Sequence, residues 1–151
     1  MTHPTDGAPW PAALETALQG RYRLEGELGR GGMSTVFGAR DTKWDRPAAV
    51  KVLHASLATA IGTRRFLREI RIVTELSHPG IVPLWDWGDA EGLLYYVMPR
   101  IEGESLRRRL GGAGRLPLDE ACRLACDAAD ALAYAHGRDV IHRDVKPENI
   151  L

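Results

Sequence analysis

Cysteine is almost missing from this chain: its 151 residues contain two, Cys122 and Cys126. Their spacing is not C-x-x-C, and no second cysteine pair exists to complete a four-ligand metal site. One turn of helix aims two sulfurs poorly for a bridge, so packing as small core residues is favoured over a metal pair or a disulfide. Net charge is missing too, because twenty basic residues balance twenty acidic ones. That balance gives no pull toward nucleic acid or an anionic membrane as the main partner. No apolar run reaches the roughly eighteen residues that span a bilayer. Lys51, His54, Arg123 and Asp127 interrupt the best candidates. The opening residues, M-T-H-P-T-D-G-A-P-W-P, have no basic segment followed by an apolar one, which reads against a secretory leader. The expected location is therefore the cytoplasm, and the length suits one domain or part of a larger one.

What is present is a sequence of short, well-punctuated elements. Residues 1–11 are rich in Pro and Gly and are expected to be disordered. A short helix is expected over Pro11 to Leu18, with Leu14 and Leu18 on one face and Gly20 as its stop, acting as a docking cap. Tyr22 to Leu28 alternates as a strand and runs into Gly29-Arg30-Gly31-Gly32-Met33-Ser34, after which Thr35 to Arg40 reads as a second strand. The glycines are thus the turn of a hairpin. A dinucleotide fingerprint would need a helix after the glycines and an acid about twenty residues later, and neither is found. By itself the stretch is equally a plain hairpin turn. Asp45 to Pro47 turns the chain into a third strand, Ala48 to Leu53, where period two puts Ala49 and Lys51 on one face. A solvated edge lysine is the bland reading of Lys51, and its run of apolar neighbours argues against that.

Thr63 to Leu76 carries Phe66, Ile70 and Val73 at helical spacing. Glu69 lies beside that face among Arg64, Arg65, Arg68 and Arg71, and a surface pair with one of them is the bland reading. Ile81 to Trp87 and Leu93 to Met98, joined by a turn over 88–92, complete a five-stranded antiparallel sheet. Trp85, Trp87, Tyr95 and Tyr96 are assigned to packing. Ser105 to Leu110 begins a short basic helix, the following G-G-A-G is expected as a loop, and Leu118 to His136 is a long helix. Its apolar stripe is Leu118, Ala121, Cys122, Ala125, Ala128, Ala129 and Leu132.

The chemistry concentrates in Ile141 to Asn149, read I-H-R-D-V-K-P-E-N. An acid, Asp144, a cation two residues on, Lys146, and an amide five residues on, Asn149, share a loop that Pro147 stiffens. A carboxylate can orient and accept the proton of an attacking hydroxyl. An ammonium can neutralise charge on a moving phosphoryl group, and a carboxamide oxygen can ligate Mg2+. The stretch resembles the catalytic loop H-R-D-x-K-x-x-N of bacterial eukaryotic-like serine/threonine protein kinases, and Lys at that offset marks Ser/Thr rather than Tyr kinases.

The other motifs follow in that family's order over roughly residues 22 to 151. The resemblance implies an α+β fold: an N-lobe of a five-stranded antiparallel sheet with a helix, αC, then the first helices and catalytic loop of a truncated helical C-lobe. It implies an extension over 1–20 and a partial kinase domain over 21–151, divided as 21–98, a hinge at 99–104, and 105–151. Gly29, Gly31 and Ser34 would cover phosphates, with Ser34 departing from the family's third glycine. Leu28, Val36 and Ala49 would enclose adenine. Met98 would be the gatekeeper, and Pro99 and Ile101 would hydrogen-bond the base through the carbonyl of the first and the N–H of the second. Lys51, paired with Glu69, would position the α- and β-phosphates. Asp144 would be the catalytic base, Lys146 would steady the γ-phosphate, and Asn149 would bind Mg2+. The implied cofactors are ATP and Mg2+, and the implied partners are proteins with Ser/Thr acceptors. No D-F-G, activation loop or A-P-E follows Asn149, so the chain is expected to be a fragment of a longer kinase, inactive alone, with any membrane anchor lying beyond it. The alternative is a non-catalytic ATP-binding or partner-binding module of pseudokinase type.

Overall fold

A computed structural model describes residues 10–55, 58 and 62–151. The chain divides into two compact units, one formed by the described residues up to Thr74 together with Pro83–Arg100, the other by Glu75–Val82 and Ile101–Leu151.

The first unit is built on five antiparallel strands: β1 (Tyr22–Arg30), β2 (Ser34–Asp41), β3 (Arg46–Leu53), β4 (Asp86–Ala90) and β5 (Leu93–Pro99). They lie in the order β1-β2-β3-β5-β4. Alternation along the strands separates two cores. On one face Phe37, Ala39, Ala48, Val50, Val52, Tyr95 and Val97 pack under helix α1 (Ala12–Leu18), which contributes Leu14 and Leu18. On the other face Leu53 and Leu94 meet Phe66 and Ile70 of helix α2 (Thr63–Thr74). The 3.6-residue period places those two side chains on the buried stripe and leaves the arginines outside.

The turns show local chemistry at work. Between β2 and β3 the fully buried Asp41 carboxylate accepts the N–H groups of Lys43 and Trp44 at 3.1 and 3.3 Å and pairs with Arg46 at 3.3 Å. A buried carboxylate is tolerated when its lone pairs are filled in this way. Between β4 and β5, Glu91 and Gly92 both take positive φ, 54° and 87°. That is the two-residue turn whose twist suits a hairpin.

Several expectations need correction. The fourth strand is displaced: it runs Asp86–Ala90 rather than over Ile81 to Trp87, so residues 88–90, expected in the turn, are paired with β5. The two-residue turn wins over a longer loop because Gly92 supplies the left-handed backbone it requires. Disorder expected over 1–11 falls mainly on residues outside those described. Trp10 meets Phe37 edge-on at 6.4 Å and joins the α1 core.

The second unit contains α3 (Leu106–Ala113) and α4 (Leu118–His136). Ser105 Oγ caps α3 by accepting from Arg108 N–H at 3.3 Å, and the helix continues through Gly111 and Gly112 to stop at Gly114, φ 72°. The expected G-G-A-G loop therefore starts later, where a left-handed residue ends the helix. Helix α4 has the expected bounds but not the expected buried face. Ala131 and Ala135 are buried, while Leu118 is 80% exposed and Cys122 and Cys126 are both exposed thiols. The expected core packing of the cysteines is thus not found: the residues that α4 buries lie on its C-terminal half, and the cysteines lie outside that stripe. The segment Glu75–Val82 docks on this half. Ser77 N–H donates to the Tyr134 hydroxyl at 3.0 Å, and His78 Nε2 donates to Asp130 at 3.0 Å while its Nδ1 accepts from Gly80 N–H.

Candidate active site

In the first unit, strand register gathers most of the expected nucleotide residues. Gly38 lies opposite Ala49, and Ala49 opposite Met98; Val36 lies opposite Lys51, and Lys51 opposite Tyr96. Directly opposed residues of antiparallel strands project to the same side. Val36, Ala49, Lys51 and Met98 therefore share one face of the sheet, the face away from α1. Leu28 reaches the same patch, since a Cβ placed on Gly38 would lie 3.4 Å from a Leu28 methyl. Pro99 ends β5 opposite Ala48. Ile101 belongs to the second unit and is exposed.

The glycine-rich turn is closed by Gly31 N–H donating to the Ser34 carbonyl at 2.8 Å. Neither Gly29 nor Gly32 has any atom within 4 Å of a hypothetical Cβ, and Gly31 has only the Ser34 carbonyl at 3.8 Å. None of the three has positive φ. Nothing in the fold itself forbids side chains here. Their absence leaves a bare backbone that a phosphate can approach closely, with Gly31 N–H engaged by the Ser34 carbonyl.

Glu69 does not meet Lys51. Its carboxylate pairs with Arg65 Nε at 2.7 Å, four residues earlier on the same helix. That bond raises the pKa of the guanidinium, chiefly through the hydrogen bond itself. The expected Lys51–Glu69 pair is not among the ion pairs of the described residues, and the Arg65 pair needs only a one-turn reach between two exposed side chains. The Lys51 ammonium instead stands 5.8 Å from the centre of the Tyr96 ring. The aromatic residues otherwise pack: Arg46 lies over Trp85 at 3.5 Å, and Trp87 and Tyr96 lie against the α2 core. A cavity of about 440 Å³ lies on the α1 side, lined among others by Trp10, Phe37 and His54. It contains none of the residues expected at the nucleotide.

In the second unit the loop after α4 brings Asp144, Lys146 and Asn149 together. Arg143 adopts positive φ, 61°, and reverses the chain just before Asp144. Asp144 N–H then donates to His142 Nδ1 at 3.2 Å. A single 3-10 turn, Pro147–Asn149, follows, with Pro147 preset for its first position. This turn swings Asn149 back so that its Nδ2 donates to the Asp144 carbonyl at 2.8 Å and to its carboxylate at 3.2 Å. Lys146 Nζ lies 2.8 Å from the same carboxylate oxygen. The hydrogen bond from Lys146 holds the Asp144 carboxyl below its usual range against an opposing desolvation, and the bond from Asn149 adds to the lowering. The same contact raises the Lys146 pKa. Outside the trio, the loop is tied to α3 by Leu106 N–H donating to the Ile150 carbonyl at 2.8 Å.

A carboxylate held ionised beside an ammonium and an amide can align a hydroxyl through an accepted hydrogen bond. Its depressed pKa makes it a weak base until the hydroxyl proton acidifies. The donor set also suits a hard cation. Asn149 turns its NH2 to Asp144 and so directs its carboxamide oxygen elsewhere, and oxygen is what Mg2+ accepts, usually from few protein ligands with phosphates and water completing the octahedron. Among the described residues no three His, Cys, Asp or Glu side chains group as a metal cage.

Comparison with known proteins agrees with this fold. A family model described as a protein kinase domain matches residues 22–151, and the chain belongs to that family. Over 139 residues it is 43% identical to the serine/threonine-protein kinase PknB of Mycobacterium leprae, covering 89% of this chain and 22% of the relative. It is 37% identical over 135 residues to the serine/threonine-protein kinase PrkC of Bacillus subtilis, covering 89% and 21%. The Mycobacterium tuberculosis PknI kinase domain superposes with a TM-score of 0.79 at 31% identity, over 86% of this chain and 54% of that one. The chain thus spans about a fifth of the length of these curated relatives. Among the described residues no helix is long and apolar enough to cross a membrane.

Proposed function

We propose that this chain supplies the nucleotide-holding residues and the catalytic loop of an ATP-dependent serine/threonine protein kinase acting in the cytoplasm on protein hydroxyls. The observation that carries the reading is the convergence of Asp144, Lys146 and Asn149 within hydrogen-bond distance in one loop. In this reading the backbone over Gly29, Gly31 and Ser34 covers the phosphates, and Lys51 neutralises the α- and β-phosphates. Leu28, Val36, Ala49 and Met98 form the apolar bed for adenine, and the Pro99 carbonyl and Ile101 N–H take its polar edge. Asp144 accepts a hydrogen bond from the acceptor hydroxyl and receives its proton as the oxygen bonds to the γ-phosphorus and the bond to the ADP oxygen breaks. Lys146 offsets charge on the transferred group, and Asn149 would hold Mg2+, which when bound neutralises charge between the β- and γ-phosphates.

The Glu69–Arg65 pair favours a second reading, in which the chain binds nucleotide or a partner without chemistry, because the acid expected to steady Lys51 is paired with Arg65. Titrating Mg2+ and ATP into the wild type and Lys51→Met by calorimetry tests the shared step. Affinity lost on the order of tenfold in Lys51→Met supports the site, and equal affinities would remove it. Phosphate transfer that Asp144→Asn abolishes while ATP binding persists separates the kinase from the non-catalytic module.

A further inference from the structure

We infer that His54 is a positioning residue that locks the glycine-rich turn to the end of β3, the strand that carries Lys51; the consequence for nucleotide binding rests on the reading proposed above. Three bonds converge on this one residue. Its backbone N–H donates to the Met33 carbonyl at 2.9 Å. Its ring Nδ1 lies 3.1 Å from the Gly32 carbonyl, and its Nε2 lies 3.0 Å from Thr35 Oγ1.

The chemistry of the partners decides the proton positions. A carbonyl only accepts, so Nδ1 carries the hydrogen; in the neutral ring Nε2 is then an acceptor, and the Thr35 hydroxyl donates into it. One tautomer thus satisfies both ring nitrogens and the hydroxyl. Thr35 is 5% exposed, and a buried hydroxyl without a partner would be costly, so the pair is held from both ends. The turn itself has little else to hold it. An added Cβ on its glycines would meet almost nothing, Met33 is 54% exposed, and among the described residues its internal backbone closure is the Gly31 to Ser34 bond. Register then makes the link productive: Ser34 pairs with Leu53 and Val36 with Lys51, so the residue that grips the turn is three positions from the ammonium. A phosphate site made of the turn's backbone and that ammonium needs their separation set in advance, and His54 sets it.

The test uses the chain itself, with amide hydrogen exchange and nitrogen-15 shifts of the His54 ring as readouts independent of nucleotide. The ring shifts should report the neutral Nδ1–H tautomer; the Nε2–H tautomer would overturn the bonding scheme. In His54→Ala the Gly31 amide should exchange on the order of tenfold faster, while Val50 and Val97 in the central strands keep their protection. Thr35→Val, which keeps the shape and removes the hydroxyl, should show a smaller increase at Gly31, and Thr35→Ser should restore it. If His54→Ala fails to fold, Thr35→Val and the ring shifts decide. Unchanged exchange at Gly31 in the folded variants would overturn the proposal. In the nucleotide arm His54→Ala should weaken Mg2+-ATP binding about three- to tenfold. Lys51→Met, run in parallel, distinguishes the failures: if it leaves binding unchanged the nucleotide site is wrong, and if it alone weakens binding the His54 link to that site is wrong.

Discussion

Replacing Leu14 by Ala tests whether α1 is an integral part of the first unit. Leu14 is fully buried, and with Leu18 it forms the anchor of a seven-residue helix packed on β1 and β4. So short a helix has no stability of its own in water, so its docking is what keeps it folded. Removing three buried carbons forfeits about 2.4 kcal/mol at roughly 0.8 per carbon. A cavity that cannot collapse adds to this, for a total of about 3–5 kcal/mol. That total has a ceiling, because the helix can detach instead of tolerating a void, releasing Leu18 and Trp10 as well. The two outcomes separate in a urea titration followed by tryptophan fluorescence. A retained helix gives a lower midpoint at constant slope, and a detached one gives a lower slope and loss of amide protection at Leu18. A change below about 1 kcal/mol with unchanged slope and unchanged Leu18 protection would refute the anchoring role.

Gly88→Ala should destabilise by about 1–3 kcal/mol, because its Cβ would stand 2.7 Å from the hydroxyl of Tyr95, a ring too buried to step aside. In thermal melts Tyr95→Phe should recover part of that loss by removing the clashing oxygen, and an additive double variant would argue against the clash. The Asp144 carboxyl should titrate below the ordinary value of about 3.9 when followed by carbon-13 NMR. Lys146→Ala should raise its midpoint more than Asn149→Ala does. Since the folded value is depressed, the stabilisation from this contact is complete above the unfolded carboxyl pKa and lost as pH falls through the folded one, so nothing should change near neutrality. A midpoint that Lys146→Ala leaves in place would contradict the pairing. Asp41→Ala should cost about 2–4 kcal/mol in denaturant melts, since it leaves two turn N–H groups and Arg46 without their acceptor; a loss under about 0.5 kcal/mol would mean the turn closes without it.

What the sequence determined by itself is what short-range chemistry controls. Alternation and glycine punctuation specify the hairpins, and a 3.6-residue period specifies α2 and α4. The proximity of Asp144, Lys146 and Asn149 needs only one stiffened loop of nine residues. The shared face of Val36, Ala49, Lys51 and Met98 was half legible: period two links Ala49 to Lys51, but Met98 joins them only through the β3–β5 register. Where neighbours distant in sequence compete, the tertiary structure decided. Glu69 could reach Arg65 by its own helix geometry or Lys51 only if helix and sheet close on each other, and the local partner won. The fourth strand slid toward its turn because pairing with β5, not its own apolar content, sets which residues are extended. Cys122 and Cys126 lie in an apolar pattern, yet α4 buries Ala131 and Ala135, where Glu75–Val82 docks. His54 had no motif to announce it. Its role follows from a strand end and a turn meeting across 22 residues of chain, a contact that only the folded sheet makes.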